Sequence, residues 1–251
     1  APLGGVDFSM FLAGKTGLFK STLAALCQQH FGGGMDAAAL PGNFASTAHA
    51  LESLAYCAKD ALLVVDDFAP AGRHQDAELQ DVAERLFRAA GNRQGRNRMT
   101  GNGQLHPPKP PRAMILATGE QVPEGQSIRA RMLIVEVGPG DVDRAKLSHA
   151  QKEAQAGGSA MAMGAFLHWI AGQYEAIQER LQARVMEIRS LGNTHAAHAR
   201  LPGALAELQT GWEIFLEFAL AVGAIGHREK DALEQRCRKA LGEVAALQAP
   251  Y

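Results

Sequence analysis

Gly14-Lys15-Thr16-Gly17-Leu18-Phe19-Lys20-Ser21, followed by Thr22, is the stretch whose reading decides the fold. It reads G-x-x-x-x-F-K-S, one residue away from the phosphate-loop pattern G-x-x-x-x-G-K-[ST]. Phe8-Ser9-Met10-Phe11-Leu12 ahead of it is a short apolar run suited to a buried strand. Behind it, Leu23, Ala24, Leu26 and Cys27 recur at helical spacing, and Gly32-Gly33-Gly34 ends the helix. Strand, glycine loop and helix in that order is the context a phosphate loop requires. The backbone N–H groups of residues 14–20, at the positive end of a helix, are expected to cradle phosphate oxygens. Lys20 is expected on the β- and γ-phosphates of ATP and the Ser21 hydroxyl on Mg²⁺. Phe19 stands where the pattern has glycine. A left-handed backbone there would cost a non-glycine residue roughly 1–2 kcal/mol. As an aromatic ring at a helix start, Phe19 is expected to pack under the loop as a core side chain.

A second stretch completes the pattern. Ala61-Leu62-Leu63-Val64-Val65-Asp66-Asp67 is an apolar run ending in two acids. Such a run predicts a strand buried on both faces, as in a parallel sheet, with its acids at the carboxyl end where ligands bind. Mg²⁺ takes hard oxygen ligands, and a carboxylate beside a terminal phosphate can orient or deprotonate water. Asp66 is therefore the candidate metal ligand and Asp67 the candidate base. Arg112-Ala113-Met114-Ile115-Leu116-Ala117-Thr118-Gly119-Glu120 and the segment 127–137 read as two further strands. Helices are expected over residues 46–57, capped by Ser46, and over 76–90. Residues 35–43 read as a loop. The first 140 residues are thus α/β, a three-layer core with a mainly parallel sheet.

Residues 141–251 read as an all-helical region. One apolar stripe, Phe166, Ile170, Tyr174, Ile177, Leu181, Val185 and Ile188, predicts a single long helix. Two more helices follow, one over Leu201, Leu205, Leu208, Trp212, Phe215 and Ala219, the other over Leu233, Cys237, Ala240, Val244 and Leu247. His195 and His198 lie three apart, but no histidine falls in a metal motif.

Composition narrows the classes. The chain has 251 residues, 47% hydrophobic and 20% charged, with a net charge of −1. That is ordinary globular composition, and any nucleic-acid contact must be local. Cys27, Cys57 and Cys237 are odd in number and far apart, which suggests neither a disulfide framework nor a zinc site and fits a cytoplasmic protein. The longest apolar stretch is too short to span a bilayer. The chain opens on strand material without a methionine, so a preceding domain of a longer parent protein is expected as a partner. One segment is strongly basic: residues 85–112 carry Arg85, Arg88, Arg93, Arg96, Arg98, Lys109 and Arg112 and no acid. Within it, Asn102-Gly103 between possible strand residues signals a hairpin. Arg93, Arg96, Arg98 and Lys109 are candidate contacts to a phosphate backbone.

Together these stretches resemble an AAA+ ATPase, specifically the superfamily 3 helicase-like ATPases of plasmids, phages and other mobile elements. The resemblance rests on residues 14–21, 62–67, Ala117-Thr118-Gly119-Glu120 and Ser127-Ile128-Arg129-Ala130-Arg131, and covers roughly residues 5–140. It implies an ATP-hydrolysing motor on single-stranded DNA, assembled as a homo-oligomer, a hexameric ring. It implies that the helical remainder is a lid or collar. It makes Thr118 a catalytic sensor, where family members usually carry asparagine. It gives Arg131, or else Arg129, the role of an arginine reaching into the neighbouring subunit's nucleotide. Two other readings stay open: a P-loop kinase or phosphotransferase, and a nucleotide-gated binding module without turnover.

Overall fold

A computed structural model describes residues 5–70, 72–95, 99, 101–105, 107–191, 199–248 and 251. Arg96, Arg98, His195 and His198 lie outside the described residues. Contacts divide the chain into two compact units, Gly5–Ala162 and Met163–Tyr251. The first unit runs past residue 140, the boundary drawn from the sequence, because the helix over residues 144–155 packs on the helix over residues 20–28.

The first unit holds a five-stranded sheet of β1 (Ser9–Ala13), β2 (Gly42–Asn43), β3 (Leu62–Phe68), β4 (Met114–Gly119) and β5 (Met132–Glu136). Every pairing is parallel and the order is β2-β3-β4-β1-β5. Its helices are α1 (Lys20–Gln28), α2 (Ala48–Cys57), α3 (Arg73–Asn92), α4 (Gln126–Arg129) and α5 (Arg144–Gln155). Alternation along the strands fills two layers. Leu12, Val64 and Leu116 face Ala24 of α1 together with Val137. Phe11 points the other way, into a cluster with Phe44, Phe68 and Phe87 of α3, ring centroids 5.3–6.4 Å apart and mostly edge-on. All four rings are buried. This is the expected α/β three-layer core, with apolar residues on both faces of the strands as a parallel sheet demands.

The free edge of β3 is closed by a side chain. β2 pairs with β3 only at Val65 and Asp66. Upstream, the Gln28 side chain accepts from Val64 N at 2.8 Å and donates to Leu62 O at 3.0 Å. Gln28 thus acts as a one-residue strand at the end of α1, and buried backbone groups that would lack partners are satisfied.

Local corrections have physical causes. Thr47, not Ser46, caps α2, its hydroxyl accepting from Ala50 N at 3.3 Å. Asn43 lies in the short strand β2 rather than in a loop. The segment 127–137 is not all strand: Gly125 O accepts from Ile128 N and Arg129 N, which closes a helical turn, and β5 begins only at Met132.

The second unit is helical: the rest of α6 (Gly158–Ala171), α7 (Tyr174–Leu191), α8 (Leu201–Ala221) and α9 (His227–Leu247). The single long helix expected over 166–188 is two helices, parted at Gly172-Gln173, where glycine weakens the helix. Phe166 of α6 meets Phe215 and Phe218 of α8 at 5.3 and 5.5 Å. Arg180 pairs with Glu217 at 2.7 Å and Arg184 with Glu213 at 2.9 Å, so the two helices run antiparallel along a charged ladder. No helix among the described residues is long and apolar enough to cross a membrane.

Candidate functional site

The carboxyl ends of the strands line up. Ala13 of β1 lies between Gly119 of β4 and Glu136 of β5, and Phe68 of β3 lies beside Gly119. The loop 14–19, Asp66, Asp67 and Thr118 therefore share one edge of the sheet. β1 and β3 have β4 between them, about 9–10 Å across at the usual strand spacing.

The loop leaves β1 at Gly14, where a Cβ would sit 2.4 Å from the Val137 carbonyl oxygen, so only glycine fits. Gly14 N donates to Gly119 O and keeps the loop's origin in the sheet. Beyond it the backbone is open. Among the described residues, no N–H from residue 15 to residue 22 donates to a protein acceptor. Eight successive donors, the last of them in the first turn of α1, thus lie at or next to the positive end of a helix. Lys20 is buried, and its ammonium donates to Lys15 O at 2.9 Å across the mouth of the loop. Thr16 donates to the Glu120 carboxylate at the tip of β4. The Ser21 hydroxyl has no partner among the described residues.

Phe19 takes the left-handed conformation, φ 62° and ψ 20°. The position does need what glycine supplies, so the substitution carries the backbone cost expected of it. The core placement expected for its ring is corrected: Phe19 is half-buried, and the Arg144 guanidinium carbon lies 5.5 Å from its centroid.

The acids sit on a bulge. Val65 pairs with Ala117 and Phe68 with Gly119, so β3 carries one residue more than β4 over this interval. Asp67 absorbs the extra residue at φ 67°. Thr118, opposite and 1% exposed, stitches the bulge together. Its hydroxyl donates to Asp66 Oδ1 at 2.5 Å and accepts from Asp67 N at 3.2 Å. Bulges beside functional sites redirect side chains. Here the result is one carboxylate held by Thr118 and one exposed, the Asp67 carboxylate having no partner among the described residues.

No family model, curated protein or solved structure matches the chain.

The arginines and the hairpin lie away from these groups in sequence and bonding. Arg129 Nε donates to Pro123 O at 3.0 Å. Arg131 donates to Asn92 Oδ1 at 2.9 Å and to Ser127 O and Oγ, tying the end of α3 to α4. Both guanidinium groups are thus engaged within their own chain. The hairpin expected between β3 and β4 is present as an antiparallel bridge from Met99 to Leu105, both exposed. Its base is pinched: a Cβ on Gly95 would meet the Lys109 carbonyl carbon at 2.5 Å. Of the basic candidates there, Lys109 lies over the Tyr56 ring at 5.9 Å, and Arg93 closes α3 in the left-handed conformation.

Among the described residues no cluster of three or more His, Cys, Asp or Glu could hold a metal ion by itself. A magnesium ion keeps several waters and takes one or two protein ligands besides phosphate oxygens. The Ser21 hydroxyl and the Asp66 carboxylate fit that sparse demand. Sequence reasoning missed Gln28 and Arg144. Gln28 looks like any polar helix residue, and Arg144 carries no motif.

Proposed function

We propose that the chain is a Mg²⁺-dependent ATPase core of AAA+ type, with ATP on residues 14–22. What carries the reading is the run of eight unpartnered N–H donors at residues 15–22, on the same sheet edge as the Asp66–Asp67 bulge. Lys20 turns from Lys15 O to the β- and γ-phosphates. Ser21 and Asp66 hold the ion, which neutralises charge on the transferring phosphoryl. Asp67 orients and deprotonates the attacking water. Thr118 acts mainly by fixing Asp66. In calorimetry, Lys20→Ala should weaken ATP binding by roughly 10–100-fold, the worth of a hydrogen bond to a charged group. Asp67→Asn should bind ATP and turn it over about 10²–10⁴-fold more slowly. Asparagine tolerates the left-handed conformation, so that variant changes the chemistry and leaves the bulge in place. Unchanged ATP affinity in Lys20→Ala sinks the site.

The hairpin, pinched at Gly95 and Lys109 inside an acid-free segment, favours a motor on single-stranded DNA over a small-molecule kinase. Replacing Arg93, Arg96 and Arg98 by alanine should flatten the salt dependence of oligonucleotide binding by about two units, at roughly 0.7 per phosphate. Fluorescence anisotropy at several salt concentrations reads this directly, and equal slopes leave the kinase reading ahead. A ring in which Arg131 or Arg129 serves the neighbour's nucleotide requires release of the bonds to Asn92, Ser127 or Pro123. Arg131→Ala should then abolish turnover in assembled protein at saturating ATP. If it lowers the melting temperature and leaves turnover intact, the arginine is structural.

A further inference from the structure

Arg144 is used by nothing above. It opens α5 directly after Asp143, whose carboxylate caps the helix by accepting from Ala145 N and Lys146 N. The nearby Asp141 carboxylate accepts from Gly138 N. Arg144 is exposed and makes no ion pair among the described residues, and its one described contact is the Phe19 ring. A cation in the first turn of a helix opposes the macrodipole, so neither α5 nor a carboxylate accounts for it there.

Its place relative to the rest of the site is set by the sheet order. The carboxylates sit on β3, two strands to one side of β1. α5 follows β5, the neighbour of β1 on the other side. A nucleoside triphosphate with its terminal phosphate at Asp67 and its phosphates along residues 15–22 has its nucleoside end left for the β5 side. The Arg144 guanidinium carbon lies over the Phe19 ring, 5.5 Å from its centroid, and guanidinium planes stack readily on nucleobases.

We propose that Arg144, carried on the Phe19 ring, is the base-binding residue of the site and stacks on a purine. The proposal rests on the reading of residues 14–22 as a nucleotide loop. It also gives the aromatic residue at position 19 a purpose that glycine could not serve.

The test is calorimetry with ATP, ADP and inorganic tripolyphosphate on the full chain. Arg144→Ala should weaken ATP and ADP equally, by roughly tenfold, the usual scale for loss of one base-stacking side chain. Tripolyphosphate affinity should stay unchanged. Arg144→Lys should not rescue, because it restores the charge and not the plane. Phe19→Leu should lose part of the same affinity, and adding it to Arg144→Ala should cost little more, as expected for two residues acting as one unit. Loss of ATP but not ADP affinity, equal loss for tripolyphosphate, or rescue by lysine would each overturn base stacking in favour of a phosphate contact. Unchanged binding in Arg144→Ala overturns the proposal and leaves the loop reading intact. Failure of the wild-type chain to bind either nucleotide overturns both.

Discussion

The two compact units bury their apolar surface by different means. In Gly5–Ala162 a parallel sheet lies between helices, and whole side chains vanish from solvent: Phe11, Phe44, Phe68 and Phe87 form one closed cluster. In Met163–Tyr251 burial is concentrated on α8, which covers Ala206, Thr210, Ile214 and Leu216 among others. α9 has no fully buried residue, and the pairs Arg180–Glu217 and Arg184–Glu213 run along the seam of α7 and α8. The sheet unit leaves its exposed chemistry at one edge, while the helical unit spreads charge along its length. A rigid layer core can hold eight N–H donors and two carboxylates in register, and the second unit has no comparable frame.

The largest expected effect tests that contrast. Phe87→Ala opens a cavity among three other buried rings and should cost about 3–5 kcal/mol in denaturant unfolding. Phe215→Ala in the helical unit removes a half-buried ring and should cost less than half as much. Equal losses would mean that the two units are packed alike.

Next comes Gln28. Gln28→Leu keeps most of the volume but leaves Val64 N and Leu62 O without partners, which should cost about 2–4 kcal/mol, roughly 1–3 for the buried Val64 N and about 1 for the half-buried Leu62 O. Amide exchange should speed up at Val64 before it does at Leu116 in the sheet centre. Uniform exchange would mean that the β3 edge has another partner.

These two sites show where sequence reading succeeds and stops. β1, β3 and β4 are plain in the sequence because strands buried on both faces must be apolar runs, and Leu63-Val64-Val65 can hardly be anything else. β2 is two residues, Gly42 and Asn43, and no periodicity exists over two residues. The break at Gly172 is hidden because an apolar stripe at spacings of three and four continues across it. The phosphate-loop pattern singles out residues 14–22 as candidates, and the apolar run of residues 61–65 singles out the acids that follow it at 66 and 67. The bulge did not show, since a pair of aspartates at a strand end looks the same with or without one. The roles of Gln28, Thr118 and Arg144 come from partners 34 or more residues away in the chain, so no local signal could find them.

The charged ladder predicts a smaller, pH-dependent effect. Partial burial pushes the Glu213 carboxyl upward, but hydrogen bonds from Arg184 and Gln209 outweigh it and hold it below its ordinary value of 4.5. A carboxyl lowered in the folded state contributes stability above its unfolded value, and that stability is lost as pH falls through the folded one. Melting temperature of the wild type should therefore drop below about pH 4 by more than that of Glu213→Gln. The difference should be about 1 kcal/mol, because Arg184 is partly exposed. A larger wild-type stability at acid pH would reverse the sign and remove the pair as a stabilising element.

The smallest expected change is at Phe19, where opposing effects nearly cancel. Phe19→Gly relieves a bulky residue at φ 62°, worth roughly 1–2 kcal/mol. It also frees the unfolded chain, which costs about 0.4–1 kcal/mol. Losing the contact with Arg144 costs about 0.5–1 kcal/mol more at an exposed site. The sum lies within about 1 kcal/mol of zero, against several for Phe87. A ring kept for packing would behave like Phe87, so a melt showing a loss of that size would return Phe19 to the core. A ring kept for Arg144 should leave stability almost untouched and lower ATP and ADP affinity together. Measuring both on the one variant separates a residue that holds the fold from one that holds a ligand.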